Sequence, residues 1–408
     1  MNCRHCSRTL EHVFLDLGFA PPSNAYLAAE ELQQPETHFP LKLFVCDGCW
    51  LVQTQDFSRS DELFTDEYAY FSSVSTSWLE HAARYCSRVV DRLGLNAESF
   101  VVELASNDGY LLKNFVASGI PCLGIEPTAS TAAAAERIGV PTLREFFGKA
   151  LAEHLAGEER RADLIIGNNV FAHVPDINDF TAGMKALLKP GGTITLEFPH
   201  LARLIEHTQF DTVYHEHYSY LSLHTVSLIF QRAGLRIQDV EEIPTHGGSL
   251  RVYGCQDDDP RPTAAAVQVV LAAEAAMGLR DLGVYRAFQP RADAVKNGLL
   301  EFLLQMRREG KSVAAYGAAA KGNTLLNYAG VKPDLLPFVC DAAPSKQGRF
   351  LPASHIPVLP PAALSQRQPD VVLILPWNLA AEVVQQNRAV REKGARFFVA
   401  VPAIREVA

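Results

Sequence analysis

The sequence predicts an α/β protein in which two Rossmann-like βα units follow a small cysteine-bearing lobe. Three observations predict it. Short apolar runs separated by helical stretches recur between residues 100 and 200, as in βαβ units on a parallel sheet. A second such pattern occupies residues 312–401. Ahead of both, two Cys-x-x-Cys pairs, Cys3/Cys6 and Cys46/Cys49, stand near the start of the chain.

At 408 residues the chain has room for two or three domains. Hydrophobic residues make up 48% and charged residues 20%, ample for sizeable cores. No apolar run reaches the roughly 18 residues of a membrane span. The start, Met1-Asn2-Cys3-Arg4-His5-Cys6, lacks an apolar signal segment. A cytoplasmic protein with no membrane partner is therefore expected. The net charge of -9 argues against nucleic acid as partner, since that needs a basic face, and directs attention to metabolites. Cys86, Cys122, Cys255 and Cys340 stand singly in apolar contexts and read as buried thiols of a reducing compartment. A monomer is the default expectation.

Residues 1–60 form the first expected unit. Each Cys-x-x-Cys is a tight knuckle that points two thiolates at one ion, and two knuckles complete a tetrahedral Zn2+ site. Four thiolates leave no open position, so the zinc is structural. His5 and His12 are near enough to ligate, but two complete pairs make them unnecessary.

Residues 61–255 form the second unit. A helical pattern up to Leu95 opens with the aromatic, hydroxyl-rich patch from Tyr68 and Tyr70 to Ser73, either core or a lid over a ligand. Strands follow at Phe100–Leu104, Pro121–Glu126 and Asp163–Asn169, then at Gly192–Glu197 after a Lys189–Gly192 turn. The first strand runs into Ala105-Ser106-Asn107-Asp108-Gly109, and the second ends in an acid, Glu126. A small-residue turn followed by an acid that bonds ribose hydroxyls suits an adenosyl ligand. The first two glycines of a dinucleotide fingerprint are absent, and Asn107-Asp108 would repel a pyrophosphate but not a sulfonium. S-adenosylmethionine is thus favoured over NAD.

Residues 256–408 form the third unit, an alanine-rich helical stretch from Pro262 to about Gly310 and then a second βα pattern. The turn Gly317-Ala318-Ala319-Ala320-Lys321-Gly322 matches neither a dinucleotide fingerprint nor a P-loop, but a lysine at a helix N-terminus suits a diphosphate. Lys346 and Arg349 lie nearby in sequence.

The densest chemistry is Tyr214-His215-Glu216-His217, two imidazoles, a carboxylate and a phenol in four residues. General acid–base work calls for such a run, although a polar loop whose histidines bond backbone would also contain it. If extended, His215 and His217 share one face and Tyr214 and Glu216 the other; a turn breaks that split.

These motifs together resemble the nucleotide-sugar C-methyltransferases of branched deoxysugar biosynthesis. The matching elements are the four cysteines, Glu103-x-x-Ser106-Asn107-Asp108-Gly109, Tyr214–His217, Gly247-Gly248-Ser249-Leu250-Arg251 and Tyr316-Gly-Ala-x-Ala-Lys-Gly322, which span nearly the whole chain. Ala105 stands where the family usually has glycine. The resemblance implies a class I methyltransferase Rossmann-like domain flanked by the zinc lobe and a C-terminal Rossmann-like domain. It implies that Glu103, Ala105, Ser106, Asn107, Gly109, Glu126, Pro127, Asn168, Asn169 and Val170 hold S-adenosylmethionine. It makes His217 the base, with Tyr214, Glu216, His173, Tyr68 and Tyr70 around it. Ser249, Arg251, Lys321 and Asn323, in or beside the matched motifs, are expected to bind the substrate, a nucleotide-linked 4-keto-deoxysugar methylated at C3. An S-adenosylmethionine-dependent enzyme acting on RNA through the zinc lobe, or on another small metabolite, is the rival reading. An NAD-dependent oxidoreductase or a non-enzymatic scaffold would require nicotinamide absorbance changes or binding without turnover, respectively.

Overall fold

Burial alternates along β1 (His12–Ala20) and β2 (Phe39–Val45), so each presents one apolar face to a core. They pair antiparallel with each other, and β2 pairs with β3 (Val52–Thr54). The computed structural model describes residues 1–55, 71–74 and 76–407; Tyr68 and Tyr70 lie outside the described residues. Within the described part the helix Thr76–Leu93 leads into the central sheet.

That sheet contains β4 (Val101–Leu104), β5 (Cys122–Ile125), β6 (Thr142–Leu143), β7 (Ala162–Asn168) and β8 (Leu188–Pro199). The short strand β9 (Ser219–Tyr220) leaves to join β3, so residues just past His217 complete the N-terminal sheet. The hairpin β10 (Leu235–Ile243) and β11 (Ser249–Gln256) closes the central sheet, with order β10-β11-β8-β7-β4-β5-β6. The strands from β6 to β8 are parallel, and β11 and β10 run against their neighbours. β4 and β5 are buried along their whole length, as expected when helices cover both faces. The Lys189–Gly192 turn expected from sequence is instead part of β8. Gly191 takes φ 75°, and the register against β7 jumps between Ala162 and Leu164, so the glycines make a bulge rather than a strand end.

The long C-terminal helical stretch breaks into Ala265–Met277, Leu282–Arg286 and Phe288–Arg308, with Gly278 left-handed (φ 86°) at the first break. Then β12 (Val313–Tyr316), β13 (Val339–Cys340), β14 (Val358–Leu359), β15 (Val371–Ile374), β16 (Arg396–Val399) and β17 (Arg405–Glu406) form the order β14-β13-β12-β15-β16-β17. All but β17 are parallel. The order reverses between β12 and β15, the place where an open α/β sheet offers a ligand crevice.

The three parts share cores. Phe14 of β1 stacks on Phe288 at 4.8 Å and meets Tyr285 edge-on at 5.5 Å, joining the N-terminal sheet to the C-terminal helices. Glu274, 2% exposed, accepts the first two amides of the helix Leu223–Arg232 (Leu223 at 2.6 Å, His224 at 2.9 Å) and pairs with His200 Nε2 at 2.7 Å. It caps one domain's helix from another domain's helix. Glu274→Ala strands those donors in the interior and is expected to lower stability by about 3–5 kcal/mol, read as a lower urea midpoint.

Candidate active site

Each zinc knuckle closes on a left-handed residue, Ser7 (φ 64°) after the first pair and Trp50 (φ 61°) after the second. Ser7 N–H donates to the Cys3 carbonyl and Trp50 N–H to the Cys46 carbonyl, curling each turn around its sulfurs. The four Sγ atoms lie within 4.8 Å of one another, with Cys3–Cys49 and Cys6–Cys46 each at 3.5 Å. Zn–S bonds of about 2.3 Å in a tetrahedron need S···S separations near 3.8 Å, so the set fits Zn2+. Gln53 Nε2 donates to Cys3 Sγ (3.2 Å) and Gly48 N–H to Cys46 Sγ (3.4 Å), as thiolates require. His5 is not a ligand; its Nδ1 bonds Asn178 Oδ1 at 2.8 Å and helps seat the lobe on the central domain.

The cofactor crevice lies where β4 and β7 diverge, the switch point of the central sheet. After β4 the chain takes positive φ at Ala105 (55°), Asn107 (50°) and Gly109 (75°). A Cβ at Gly109 would come within 3.1 Å of Ala135 Cβ, so the turn packs directly on the helix Ala129–Arg137 that follows β5. Ala105 occupies a conformation that glycine adopts more easily. Glu126, 5% exposed, ends β5 and accepts Asn107 N–H and Thr128 N–H, both at 2.9 Å. Each of its oxygens keeps a lone pair for a further donor. Pro127 follows it in the same turn, and Val170 lies buried beside Asn169.

Several buried polar atoms here have no hydrogen-bond partner among the described residues: Glu103 Oε2, Ser106 Oγ, Asp108 Oδ1, both polar atoms of the Asn168 amide, and Asn169 Oδ1. Orphaned groups of this kind are rare in folded proteins and mark a place for a polar ligand. Burial pushes the Glu103 carboxyl well above its ordinary range, and the Glu126 and Asp108 carboxylates add to the effect. A cationic ligand relieves such a clustering of acids, and S-adenosylmethionine is a cation. Backbone N–H groups of Ser72 and Ser73 close over this turn by donating to Asn107 Oδ1 (3.0 Å) and Asp108 Oδ2 (3.1 Å).

The Tyr214–His217 run is a turn, closed by His217 N–H to the Tyr214 carbonyl at 3.0 Å. The face-sharing of an extended segment therefore does not arise. His215 packs edge-on against Phe39 of β2, on the side of the N-terminal sheet. Glu216 accepts from Asn24 Nδ2 at 2.7 Å, so its carboxylate faces the N-terminal lobe. The Thr212 carbonyl, 3.1 Å from Nδ1, orients His217, while the Glu216 side chain bonds Asn24. A carbonyl accepts only, so Nδ1 carries the hydrogen and Nε2 the lone pair. The Tyr214 and His173 rings flank the imidazole at 4.0 and 4.6 Å. His173 Nδ1 in turn donates to the Glu216 carbonyl at 2.9 Å.

The C-terminal domain supplies the facing wall. Lys321 Nζ bonds Asn378 Oδ1 at 2.8 Å and lies over the Trp377 ring, while Trp377 Nε1 donates to Asp211 Oδ2 at 2.7 Å. A Cβ at Gly317 would stand 2.3 Å from Pro376 Cδ, so the turn after β12 abuts the one after β15. Thr324 Oγ1, on the helix Ala320–Ala329 after β12, donates to the Val213 carbonyl at 2.7 Å, so that helix packs on the segment leading into the His217 turn.

The other expected substrate ligands are engaged within the protein. Ser249 Oγ donates to the Thr245 carbonyl (2.9 Å), and Asn323 Nδ2 to the Ser23 carbonyl (2.6 Å). Arg251, 2% exposed, lies over Tyr85 and donates to Glu197 Oε2 at 2.8 Å; His81 Nε2 is 3.0 Å from the same oxygen. Burial pushes the Glu197 carboxyl up, but His81 and Arg251 outweigh it and hold it below its ordinary value. Lys346 bonds the Ala318 carbonyl and lies over the Tyr26 ring, and Arg349 bonds the Tyr26 carbonyl, so these cations brace the contact with the N-terminal lobe.

Three family models cover most of the chain: a zinc binding domain at residues 3–64, a methyltransferase domain at 78–240 and a C-methyltransferase C-terminal domain at 244–402. The C-methyltransferase NovU of Streptomyces niveus is 34% identical over 405 residues, which cover 99% of this chain and 96% of NovU. The chain belongs to the C-methyltransferase family. It is an S-adenosylmethionine-dependent C-methyltransferase with an N-terminal zinc-binding domain. Among solved structures, the Burkholderia thailandensis 1,6-didemethyltoxoflavin-N1-methyltransferase is 19% identical, covering 51% of this chain and 95% of its own, at a TM-score of 0.39. The Synechocystis magnesium protoporphyrin IX methyltransferase is 12% identical, covering 45% and 88%, at 0.36. Among the described residues, no helix is long and apolar enough to cross a membrane.

Sequence reasoning passed over several groups that touch the expected site residues or neighbour them: His81 and Glu197 at Arg251, Trp377 at Lys321, Asp211 bonded to Trp377, and His246. A charge ending the apolar strand at Glu197, and a histidine before two glycines at His246, were the available signals. Burial holds the His173 imidazole down at about 4, and His217 well below its ordinary value; His173 adds to the depression of His217. An unfolded histidine titrates near 6.5. Below that pH the unfolded chain binds protons that the folded chain refuses, so stability is complete above it and is lost as pH falls towards 4. For His173 alone the loss is about 3 kcal/mol. Urea midpoints measured from neutral to acid pH are expected to fall over this window, and His173→Asn to flatten the fall.

Proposed function

We propose that the enzyme methylates C3 of a nucleotide-linked 4-keto-deoxysugar, using His217 as the base. The observation that carries this reading is the His217 imidazole itself. It is buried and neutral, with Nδ1 tied to a carbonyl and Nε2 free of any partner among the described residues. A carbon acid next to a ketone needs such a base, because its proton leaves only as the electrons enter the carbonyl.

In this reading His217 Nε2 takes the C3 proton, and the C–H electron pair forms the C3–C4 double bond of an enolate. The Thr212 carbonyl stabilises the resulting imidazolium through Nδ1–H, while Tyr214 and His173 keep the ring in place. Glu103, Ala105, Ser106, Asn107, Gly109, Glu126, Pro127, Asn168, Asn169 and Val170 line the crevice that would hold S-adenosylmethionine. When bound, it supplies an electrophilic methyl, which passes to the nucleophilic carbon and leaves S-adenosylhomocysteine. Tyr68 and Tyr70 are assigned to the lid on sequence grounds alone. Glu216 positions the turn through Asn24.

Lys321 is the proposed diphosphate ligand, from the N-terminus of the helix Ala320–Ala329. Burial lowers its ammonium pKa, partly offset by Asp211, so an arriving diphosphate finds an under-compensated charge. Lys321→Met is expected to raise KM for the nucleotide sugar by about tenfold or more, with kcat less affected, since a lost charged hydrogen bond is worth about 1.5–3 kcal/mol. Steady-state kinetics checks this.

The reading is tested by incubating the enzyme with S-adenosylmethionine and a panel of nucleotide-linked 4-keto-deoxysugars. Mass spectrometry should find one added methyl on at least one of them. Methylation of RNA or of an unrelated metabolite, with none of any keto-sugar, would overturn it.

A further inference from the structure

The hairpin between β10 and β11 holds a histidine in an unusual conformation. His246 takes φ 53°, and Gly247 and Gly248 follow at 88° and 114°, three successive residues on the positive side. For a non-glycine residue this conformation is strained by about 1–3 kcal/mol and persists only where the surroundings over-determine it.

They do so here. A Cβ on Gly247 would stand 2.3 Å from Trp377 Cη2, and one on Gly248 2.7 Å from Arg203 Cγ. Gln209 Nε2 donates to the Gly247 carbonyl at 2.8 Å, and Thr245 Oγ1 to Glu197 Oε1 at 3.0 Å. Elements of two domains thus clamp the loop, and the clamp presents one side chain, the His246 imidazole.

That ring lies against Trp78, 5.2 Å between centroids, and makes no hydrogen bond with the described residues. Its charge bears on His217, and the charges of Lys321, Glu197 and His81 bear on it. Yet the rings that touch His217 are those of His173, Tyr214 and Tyr220, and not that of His246. Two imidazoles approach the same space from different elements without meeting.

We propose that His246 is a second catalytic group, donating a ring N–H to the carbonyl oxygen of the keto-sugar as the enolate forms. The proposal rests on the reaction given above and names the group that His217 alone lacks. Removing a proton from carbon puts negative charge on the neighbouring oxygen, and a fixed donor aimed there is worth most in a water-poor site. Burial and the Lys321 charge hold His246 down at about 4, so it acts as a neutral imidazole donor that keeps its proton. The left-handed clamp fixes the donor before substrate arrives, sparing reorganisation during the step.

The test compares His246→Ala and His246→Asn with wild type. Asparagine adopts a left-handed backbone readily and offers an N–H, whereas alanine adopts it less readily and offers no side-chain donor. His246→Ala is expected to lower kcat by about 10²–10³-fold, with little change in KM for the sugar or in S-adenosylmethionine affinity. Exchange of the C3 hydrogen with solvent should slow in parallel, and His246→Asn should recover part of both rates at wild-type melting temperature. A wild-type kcat in His246→Ala, or a loss confined to KM with normal exchange, would overturn the proposal alone. A wild-type enzyme that turns over no keto-sugar would overturn the reaction reading as well.

Discussion

His217→Asn is expected to lower methyl transfer by about 10²–10⁴-fold, the range a positioned general base contributes. Asparagine is the informative replacement. Its amide nitrogen can take the place of Nδ1 and keep the bond to the Thr212 carbonyl, so the turn closed by His217 N–H survives. What it removes is Nε2. The cofactor crevice is built from the turns after β4, β5 and β7, so S-adenosylmethionine affinity measured by calorimetry should stay near that of wild type. An enzyme with His217→Asn and near-normal turnover would sink the assignment and move attention to His173, whose ring is 4.6 Å away. The acid limb of the kcat/KM profile should fall below pH 6.5, because burial and the neighbouring His173, His246 and Lys321 keep the His217 imidazole neutral there.

Cys46→Ser should have an effect as large, although the residue lies outside the catalytic cluster. A structural zinc contributes about 10–16 kcal/mol of apparent folding free energy in small domains. Losing one of four ligands removes enough of that to release the metal from a short lobe. The consequence reaches His217 through the backbone. β3 pairs with β9 immediately after the His217 turn, Thr54 Oγ1 donates to the His217 carbonyl at 3.2 Å, and Thr54 N–H donates to the Tyr218 carbonyl at 3.2 Å. Loss of bound zinc by atomic emission, with loss of methyl transfer but retained S-adenosylmethionine binding, is the expected outcome. Cys340→Ser, at a lone buried thiol, should keep its zinc.

How much of this was legible in the sequence follows from how local each feature is. The zinc knuckles, the turn after β4 and the acid Glu126 depend on spacings of a few residues, and the chain alone announces them. The orientation of the Tyr214–His217 run does not, because its partners are remote. Glu216 meets Asn24, Trp377 meets Asp211, and Arg251 is neutralised by Glu197 on a neighbouring strand. A sequence reading that sees Glu216 beside His217 pairs them. The turn separates them and gives His217 a backbone carbonyl instead. Arg251 and Ser249 likewise looked like ligand groups because they belong to the Gly247–Arg251 motif that carries the family resemblance. The strand faces them inward, where Arg251 must find a carboxylate or remain a buried unpaired charge. His246 escaped notice because its significance lies in a backbone angle.

The most direct test is proton NMR of an accepted keto-sugar in D2O, with wild-type enzyme and S-adenosylhomocysteine in place of the methyl donor. If His217 removes the C3 proton, the C3 signal should wash out with wild type and persist with His217→Asn. Exchange at the same rate in both enzymes, or a substrate methylated without any C3 exchange or C3 proton loss, would contradict the account.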